Sequence, residues 1–332
     1  MKIAFFSTRK YDRQSFNEQL ESYSHTITYF EDILSPETVA LAKGFDAVCI
    51  FVNNPLDREL IRMLSEIDIE VIALRSAGFN HVDLEAADDF GINVYRVPAY
   101  SPEAVAEHTL ALILTLNRKT HKAYNRVREN NFSLEGLTGF NLHGKTAGIV
   151  GTGTIGTALL KILKGFGCHL IAYDPYPNDD VKNMGVDYVS LEDLFRNSDI
   201  ISLHCPLMPE TKYIINREAI GMMKTGVMLI NTSRGALIET SAAIEGLKSA
   251  KIAYLGIDVY EQEEHLFFKD LSERVIQDDV IARLMSFPNV LITGHQAFLT
   301  SEALHKITQT TLENLTLHEI GKNVPNKVSM NV

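Results

Sequence analysis

An arginine, a glutamate and a histidine each stand just past the end of an apolar run: Arg234, Glu263 and His295. Val227 to Ile230 empties into Asn231-Thr232-Ser233-Arg234-Gly235, Ala253 to Ile257 into Asp258 and then Glu263, and Val290 to Ile292 into Gly294-His295. A forked guanidinium grips a carboxylate and polarises the carbonyl beside it through charge-assisted bonds worth about 1.5 to 3 kcal/mol each. An imidazole hands a proton to an oxygen that is gaining charge, and a neighbouring carboxylate favours the charged ring. The three types together suit hydride transfer to a carbonyl that neighbours a carboxylate. Each also has an ordinary explanation. Arg234 can pair with a surface acid, and any one of eleven histidines is more commonly a surface or capping residue. Glu263 lies in the acidic run Glu261-Gln262-Glu263-Glu264, where spacing alone does not choose among the three acids. The chain has no HExxH, no Cys/His cluster, no DxDxDG run and no GxSxG elbow, which argues against a metal site and against a serine hydrolase.

Something must hold the hydride donor, and Lys145 to Gly156, KTAGIVGTGTIG, is the stretch suited to it. The run Thr146 to Val150 reads as a strand that ends in Gly151, Gly153 and Gly156. Gly151 permits a tight turn, Gly153 lets the backbone approach a pyrophosphate, and Gly156 lets the next helix pack closely on the strand. That helix offers free N–H groups to phosphate. Three glycines alone are weak, but a second apolar strand, Leu170 to Tyr173, follows and ends in Asp174, 18 residues after Gly156. A carboxylate there accepts the adenosine ribose hydroxyls, the dinucleotide-binding arrangement. A 2′-phosphate in the same place would be repelled by roughly 4 kcal/mol at an effective dielectric near 20. The next residues, Pro175-Tyr176-Pro177-Asn178, supply no arginine, so NAD is expected rather than NADP.

The 332 residues exceed one ordinary core and suit two domains. A net charge of -11 argues against a nucleic-acid or anionic-membrane partner. Cys49, Cys168 and Cys205 are far apart, and buried, reduced thiols are expected, as in a cytoplasmic protein. The N-terminal apolar run is too short for a signal peptide, and the most apolar stretch, Ala104 to Leu116, is interrupted by Glu107-His108.

From residue 1 to about 98, apolar runs at Ile3 to Ser7, Ile27 to Phe30, Ala47 to Val52, Val71 to Leu74 and Ile92 to Val97 alternate with helical patterns near 12 to 22, 36 to 43, 57 to 67 and 83 to 89. Alternation of this kind implies a parallel sheet covered on both faces. Ser101-Pro102-Glu103 opens a long apolar helix, a basic helical stretch follows to Arg128, and the loop Asn130 to Gly144 leads into the glycine motif. A last helix from Thr300-Ser301 to about Ile320 must pack somewhere, and the first domain is the natural place. The fold expected is α/β, with two Rossmann- or flavodoxin-like parallel-sheet domains. The nucleotide-binding domain, 101–298, is inserted into a discontinuous substrate domain, 1–100 and 299–332.

At these residues the chain resembles the NAD-dependent D-2-hydroxyacid dehydrogenases, and most closely their fermentative D-lactate branch. The likeness rests on Arg75-Ser76-Ala77-Gly78-Phe79-Asn80, Val97-Pro98-Ala99-Tyr100-Ser101-Pro102, the Gly151 to Gly156 loop, Asn231 to Gly235, Asp258 to Glu263 and Gly294 to Phe298. It implies that Arg234 binds substrate, that His295 is the acid/base and that Glu263 partners it. It implies NAD contacts from Gly151, Gly153, Thr154, Ile155, Gly156, Asp174, Cys205, Pro206, Thr211, Thr232, Ser233, Arg234 and Asp258, the last near the carboxamide. Ser76, Ala77 and Gly78 would hold the substrate carboxylate, with Tyr100 and Phe298 lining a small pocket. The long loop Glu264 to Phe287 resembles the lactate branch. Formate dehydrogenases of the same fold carry Gln where Glu263 stands, which disfavours that branch.

The expected activity is reduction of pyruvate to D-lactate with NADH, in a cleft between the domains that closes on binding. The rivals are the same chemistry on a bulkier 2-oxo acid and a non-catalytic NADH-sensing regulator, against which the intact Arg234, Glu263 and His295 argue. A small-molecule substrate and a homo-oligomer are expected, the latter through family likeness and the apolar helix Ser101 to Leu116, which core burial explains equally well.

Overall fold

The computed structural model describes residues 1–263 and 266–329, so Glu264, one of the three candidate acids, lies outside the described residues. The chain divides into two compact units, Met1–Ser101 with Leu299–Val332, and Pro102–Phe298.

In the first unit, strands β1 (Lys2–Phe5), β2 (Thr26–Tyr29), β3 (Ala47–Ile50), β4 (Val71–Leu74) and β5 (Asn93–Tyr95) run parallel. With β13 (Lys327–Val328) they form a sheet of order β13-β5-β4-β3-β1-β2. Alternate residues serve opposite faces, as the period of a strand requires. Ala4, Val48, Ile50, Ile72 and Leu74 face Leu60, Ile61 and Leu64 of α2 (Arg58–Glu66) and Ala86 and Ala87 of α3 (Leu84–Asp89). Ile3, Phe5, Ala47, Cys49, Val71 and Ala73 face Phe16 of α1 (Lys10–Leu20) and Leu312 and Leu315 of α12 (Ser301–Glu319). Asp57 and Asp83 cap α2 and α3 by accepting from the backbone N–H of Leu60 and Ala86.

Two details depart from the sequence expectation. The sheet is mixed, because β13 pairs antiparallel with β5, Lys327 opposite Tyr95. Two residues are too few to show alternation, and an edge pairing needs only backbone groups. The helix expected over 36–43 is a single 3₁₀ turn, Val39–Ala42.

The second unit is a seven-stranded parallel sheet of order β12-β11-β10-β9-β6-β7-β8. Its strands are β6 (Thr146–Val150), β7 (His169–Tyr173), β8 (Asp187–Tyr188), β9 (Ile200–Leu203), β10 (Val227–Asn231), β11 (Ile252–Ile257) and β12 (Val290–Ile292). Strand β6 has β7 on one side and β9 on the other, so chain order reverses there, and the glycine loop leaves β6 at this switch point. One face packs on α4 (Pro102–Arg118) through Leu112, Ile113 and Leu116, and on α6 (Thr154–Gly165) through Leu159, Leu160 and Leu163. The other packs on α8 (Leu191–Asn197), α9 (Arg217–Met222), α10 (Thr240–Lys248) and α11 (Asp279–Met285). The apolar residues of α4 are therefore spent on the core. By contrast α5 (Thr120–Arg128) buries no residue, and Tyr124, Val127, Phe132 and Leu134 on it and just after it are exposed.

The stretch Glu264 to Phe287, read as one long loop, holds α11, whose N-cap Asp278 accepts from the N–H groups of Val280 and Ile281. All three cysteines are free thiols. Cys49 and Cys205 are buried as expected, whereas Cys168, at the entry to β7, is only partly so.

Candidate active site

At the carboxyl end of β6, Gly151 has φ +95° and donates its N–H to the carbonyl of Tyr173 at 2.9 Å. A Cβ there would lie 2.6 Å from the backbone nitrogen of Cys205, and one at Gly156 would lie 2.0 Å from the carbonyl oxygen of Gly151. Close packing of loop, strand and helix thus forbids side chains at both. Gly153 has open space before it and precedes α6, whose first residues, Thr154, Ile155 and Gly156, have N–H groups that no helical carbonyl can satisfy. Asp174 accepts from Thr152 through both its N–H (2.7 Å) and its hydroxyl (3.1 Å), and from the N–H of Tyr176 (2.9 Å). The hydroxyl of Tyr188 donates in turn to that of Thr152 at 2.8 Å. Thr152 and Tyr188 thus aim the acid, and sequence reading named neither. No ion pair to Asp174 occurs among the described residues. An open glycine cradle, unsatisfied helix N–H groups and an unpaired acid at the second strand end fit an NAD dinucleotide.

Next along the sheet edge, Cys205 is buried, its thiol pushed up to about 11 by that burial, and its carbonyl accepts from the Ser233 hydroxyl at 2.8 Å. Pro206 is exposed, and its carbonyl takes the Thr211 hydroxyl at 2.6 Å, so that hydroxyl is spent on closing its own turn. The Thr232 hydroxyl meets that of Thr109 on α4 at 2.8 Å and is likewise occupied within the unit. Buried Asn231 shapes the turn, accepting from the N–H of Ser233 (3.0 Å) and donating to the carbonyl of Arg234 (2.8 Å). Arg234 is half-buried, and among the described residues its guanidinium makes one hydrogen bond, to the carbonyl of Ser233 at 2.8 Å. Among the described residues it has no acid partner, so the surface ion pair is not its use. Its guanidinium is left with unspent donors.

The acidic run is sorted by tertiary contacts. Glu261 is held by the hydroxyls of Tyr213 and Thr240. Glu263 accepts from the N–H of Tyr260 at 2.9 Å and pairs with Nδ1 of His295 at 2.7 Å. Both of its partners hold the carboxylate in place, and His295 Nε2 is the nitrogen left for proton exchange. The ring of Phe268 lies against the imidazole, centroids 5.8 Å apart.

His295 has φ +52°, a conformation that costs a residue with a side chain roughly 1 to 2 kcal/mol. Asp258 secures it. The Asp258 carbonyl accepts the His295 N–H at 2.7 Å, and its carboxylate accepts from the Thr293 hydroxyl (2.5 Å) and the N–H groups of Gln296 (3.0 Å) and Ala297 (2.8 Å). Burial pushes the Asp258 carboxyl up, but hydrogen bonds from His108, Thr293, Gln296 and Ala297 outweigh it and hold the group below the usual carboxylate range. Asp258 is fully buried, so its visible task is to fix the histidine loop. Register places the three chemical positions on one edge: Asn231 lies opposite Ile257, and Ile257 opposite Ile292. The strands carrying Arg234 and His295 are two apart, about 10 Å.

In the first unit, Ser76, Ala77 and Gly78 follow β4. The Ser76 hydroxyl donates to the carbonyl of Gly78 (2.8 Å), and Arg96 donates to the carbonyl of Ala77 (3.2 Å) while lying over Phe79 at 5.1 Å. The carbonyls of Ala77 and Gly78 are thus engaged within the unit. Beneath it, buried Arg75 is anchored to Asp12 at 2.7 Å and to the carbonyl of Phe6 at 2.8 Å. Tyr100 is half-buried in this unit, whereas Phe298 is buried in the other, with Arg234 and His295.

Among the described residues no helix is long and apolar enough to cross a membrane, and no group of three His, Cys, Asp or Glu side chains is placed to hold a metal ion. Residues 110–297 match the model of the D-isomer specific 2-hydroxyacid dehydrogenase NAD-binding domain. The D-lactate dehydrogenase of Escherichia coli (strain K12) is 55% identical over 99% of this chain and 100% of its own. The apo-structure of the Escherichia coli D-lactate dehydrogenase superposes with a TM-score of 0.91 at 52% identity, covering 99% of this chain and 100% of that one. The structure of the pyruvate reductase of Chlamydomonas reinhardtii gives a TM-score of 0.94 at 44% identity, covering 98% of each chain. With this fold, a dinucleotide cradle and likeness over its whole length, the chain belongs to the NAD-dependent D-2-hydroxyacid dehydrogenases.

Proposed function

We propose that this enzyme reduces pyruvate to D-lactate with NADH, with His295 as the general acid. The observation that carries the reading is the 2.7 Å Glu263–His295 pair on the same sheet edge as an arginine with no acid partner among the described residues. Bound NADH supplies a hydride to the carbonyl carbon. Arg234 grips the substrate carboxylate and draws charge toward the carbonyl oxygen, helped by the backbone N–H groups of Ser76, Ala77 and Gly78. His295 gives its Nε2 proton to that oxygen, and Glu263 keeps the ring oriented. The α6 N-terminus would hold the pyrophosphate of the cofactor, and Asp174 its ribose. Cys205, Pro206, Thr211, Thr232, Ser233 and Asp258 contribute backbone and shape, since the Cys205 side chain is buried, Pro206 has no side-chain polar group and the polar groups of the others are engaged internally. Likeness to a D-lactate dehydrogenase and to a pyruvate reductase supports pyruvate as substrate.

The reading extends to a cytoplasmic homo-oligomer. Support for self-association comes from the exposed apolar residues on and after α5, not from α4, which the core consumes. The deciding experiment follows NADH consumption with pyruvate, 2-oxobutyrate, phenylpyruvate and 2-oxoisocaproate in parallel and assigns the chirality of the product. A pyruvate optimum that yields D-lactate is expected. A preference for bulky acids would move the substrate and keep the mechanism, whereas NADH binding without turnover of any acid would end the catalytic reading.

A further inference from the structure

We infer that His108, on α4, is a positioning residue for the acid/base loop, acting on His295 through the hydroxyl of Thr293 and the carboxylate of Asp258. The inference rests on the reading of His295 as the acid/base. His108 Nε2 lies 3.0 Å from Thr293 Oγ1 and 3.4 Å from Asp258 Oδ1, and Thr293 Oγ1 lies 2.5 Å from the same Oδ1. A threonine hydroxyl has one proton, and the short contact commits it to the carboxylate. Its oxygen therefore accepts from His108, which fixes the proton of that imidazole on Nε2. The result is a directed chain from α4 to a carboxylate with no solvent access.

That carboxylate is also what Gln296 and Ala297 donate to, and its own backbone carbonyl takes the N–H of His295. The left-handed backbone of His295 persists only because these bonds over-determine it. Remove the His108 donor, and the Thr293 hydroxyl is free to turn while a buried acceptor loses a partner. The loop can then relax toward an ordinary conformation, which carries the imidazole away from Glu263. His108 touches neither Glu263 nor the reacting atoms, and its effect passes wholly through the loop.

The test compares His108→Leu, His108→Gln and Thr293→Val, reading kcat, KM for pyruvate, NADH affinity by fluorescence, and the low-field proton resonance of the His295 Nδ1 to Glu263 bond. His108→Leu should lower kcat by about tenfold to a hundredfold, the scale for removing an outer partner of a working ligand. NADH affinity should stay within about twofold, and the low-field resonance should broaden or vanish. His108→Gln, which retains a donor, should recover most of the rate. Thr293→Val should match His108→Leu, and the double variant should be no worse than either, because both break one chain. Wild-type kcat and an intact resonance in His108→Leu would overturn the proposal, as would a loss shared equally with NADH binding and not recovered by Gln. If the leucine variant fails to fold, Gln and Thr293→Val decide alone: unchanged resonance and rate in Thr293→Val would end the proposal. His295→Ala serves as the control, since its near-normal turnover would bring down the acid/base reading itself.

Discussion

Two turns at the same sheet edge solve one geometric problem in opposite ways. Gly151 and His295 both have positive φ, +95° and +52°. At Gly151 a side chain would meet the backbone of His204 and Cys205 at 2.6 to 2.7 Å, so the strain is avoided by having no side chain. At His295 the side chain is the point of the turn, so the strain is kept and balanced by hydrogen bonds to Asp258. The first turn is specified by residue type and the second by tertiary contacts. A binding cradle tolerates the first kind of solution, whereas an acid/base position demands the second.

The comparison breaks first at His295. His295→Ala should lower kcat with pyruvate by about 10² to 10⁴ while the fluorescence of NADH itself still changes on binding with unchanged affinity. If turnover survives, the strained turn serves something other than proton transfer. Gly151→Ala should act the other way, costing about 3 kcal/mol or more of stability through positive φ and contact with rigid backbone. Calorimetry should show a lowered Tm together with weakened NADH binding.

The backbone that Gly151 packs on belongs to His204, whose ring bonds to Ser202 at 2.8 Å and is held at about 4 by burial. The folded state thus binds fewer protons than the unfolded chain below the ordinary histidine value near 6.5. Stability should be flat above that pH and fall as the pH drops toward about 4, by about 3 kcal/mol in all. Buried His25 is lowered in the same sense, chiefly by burial and then by the N-terminal charge, and adds to the acid limb. His204→Gln should flatten the slope of urea-derived stability against pH, and an unchanged slope would assign the acid limb to other groups. The smallest effect is a gain. His295→Gly, inactive, should be more stable than His295→Ala by about 1 kcal/mol, because glycine adopts the left-handed turn without penalty.

What was legible in the sequence follows the same division. The strand, the glycine spacing and Asp174 could be read because single residue types have no substitute there. The strand ends carrying Arg234, Glu263 and His295 were visible as polar residues closing apolar runs. The choice of Glu263 over Glu261 was not, because it is made by Tyr213 and Thr240, far away in the chain. Thr152 and Tyr188 were equally hidden, since a threonine between two glycines carries no sign of the tyrosine that will orient it. Strand β13 escaped because two residues hold no period. The apolar character of α4 was ambiguous in sequence, and its packing against α6 and the sheet accounts for it.

Helix α12 bears on how the chain is made. Its Leu312 and Leu315 close one face of the first sheet, and β13 completes that sheet's edge. A ribosome that has released residue 298 has emitted every residue of the second unit, but the first still lacks its cover. Until residues 301–319 emerge, Ile3, Phe5, Val71 and Ala73 have no helix α12 over them. The N-terminal segment, made first, is thus finished last. During synthesis this order favours chaperone capture of the early sheet, and a stop codon ahead of α12 would leave one face of that sheet bare although every residue of its first five strands had been made.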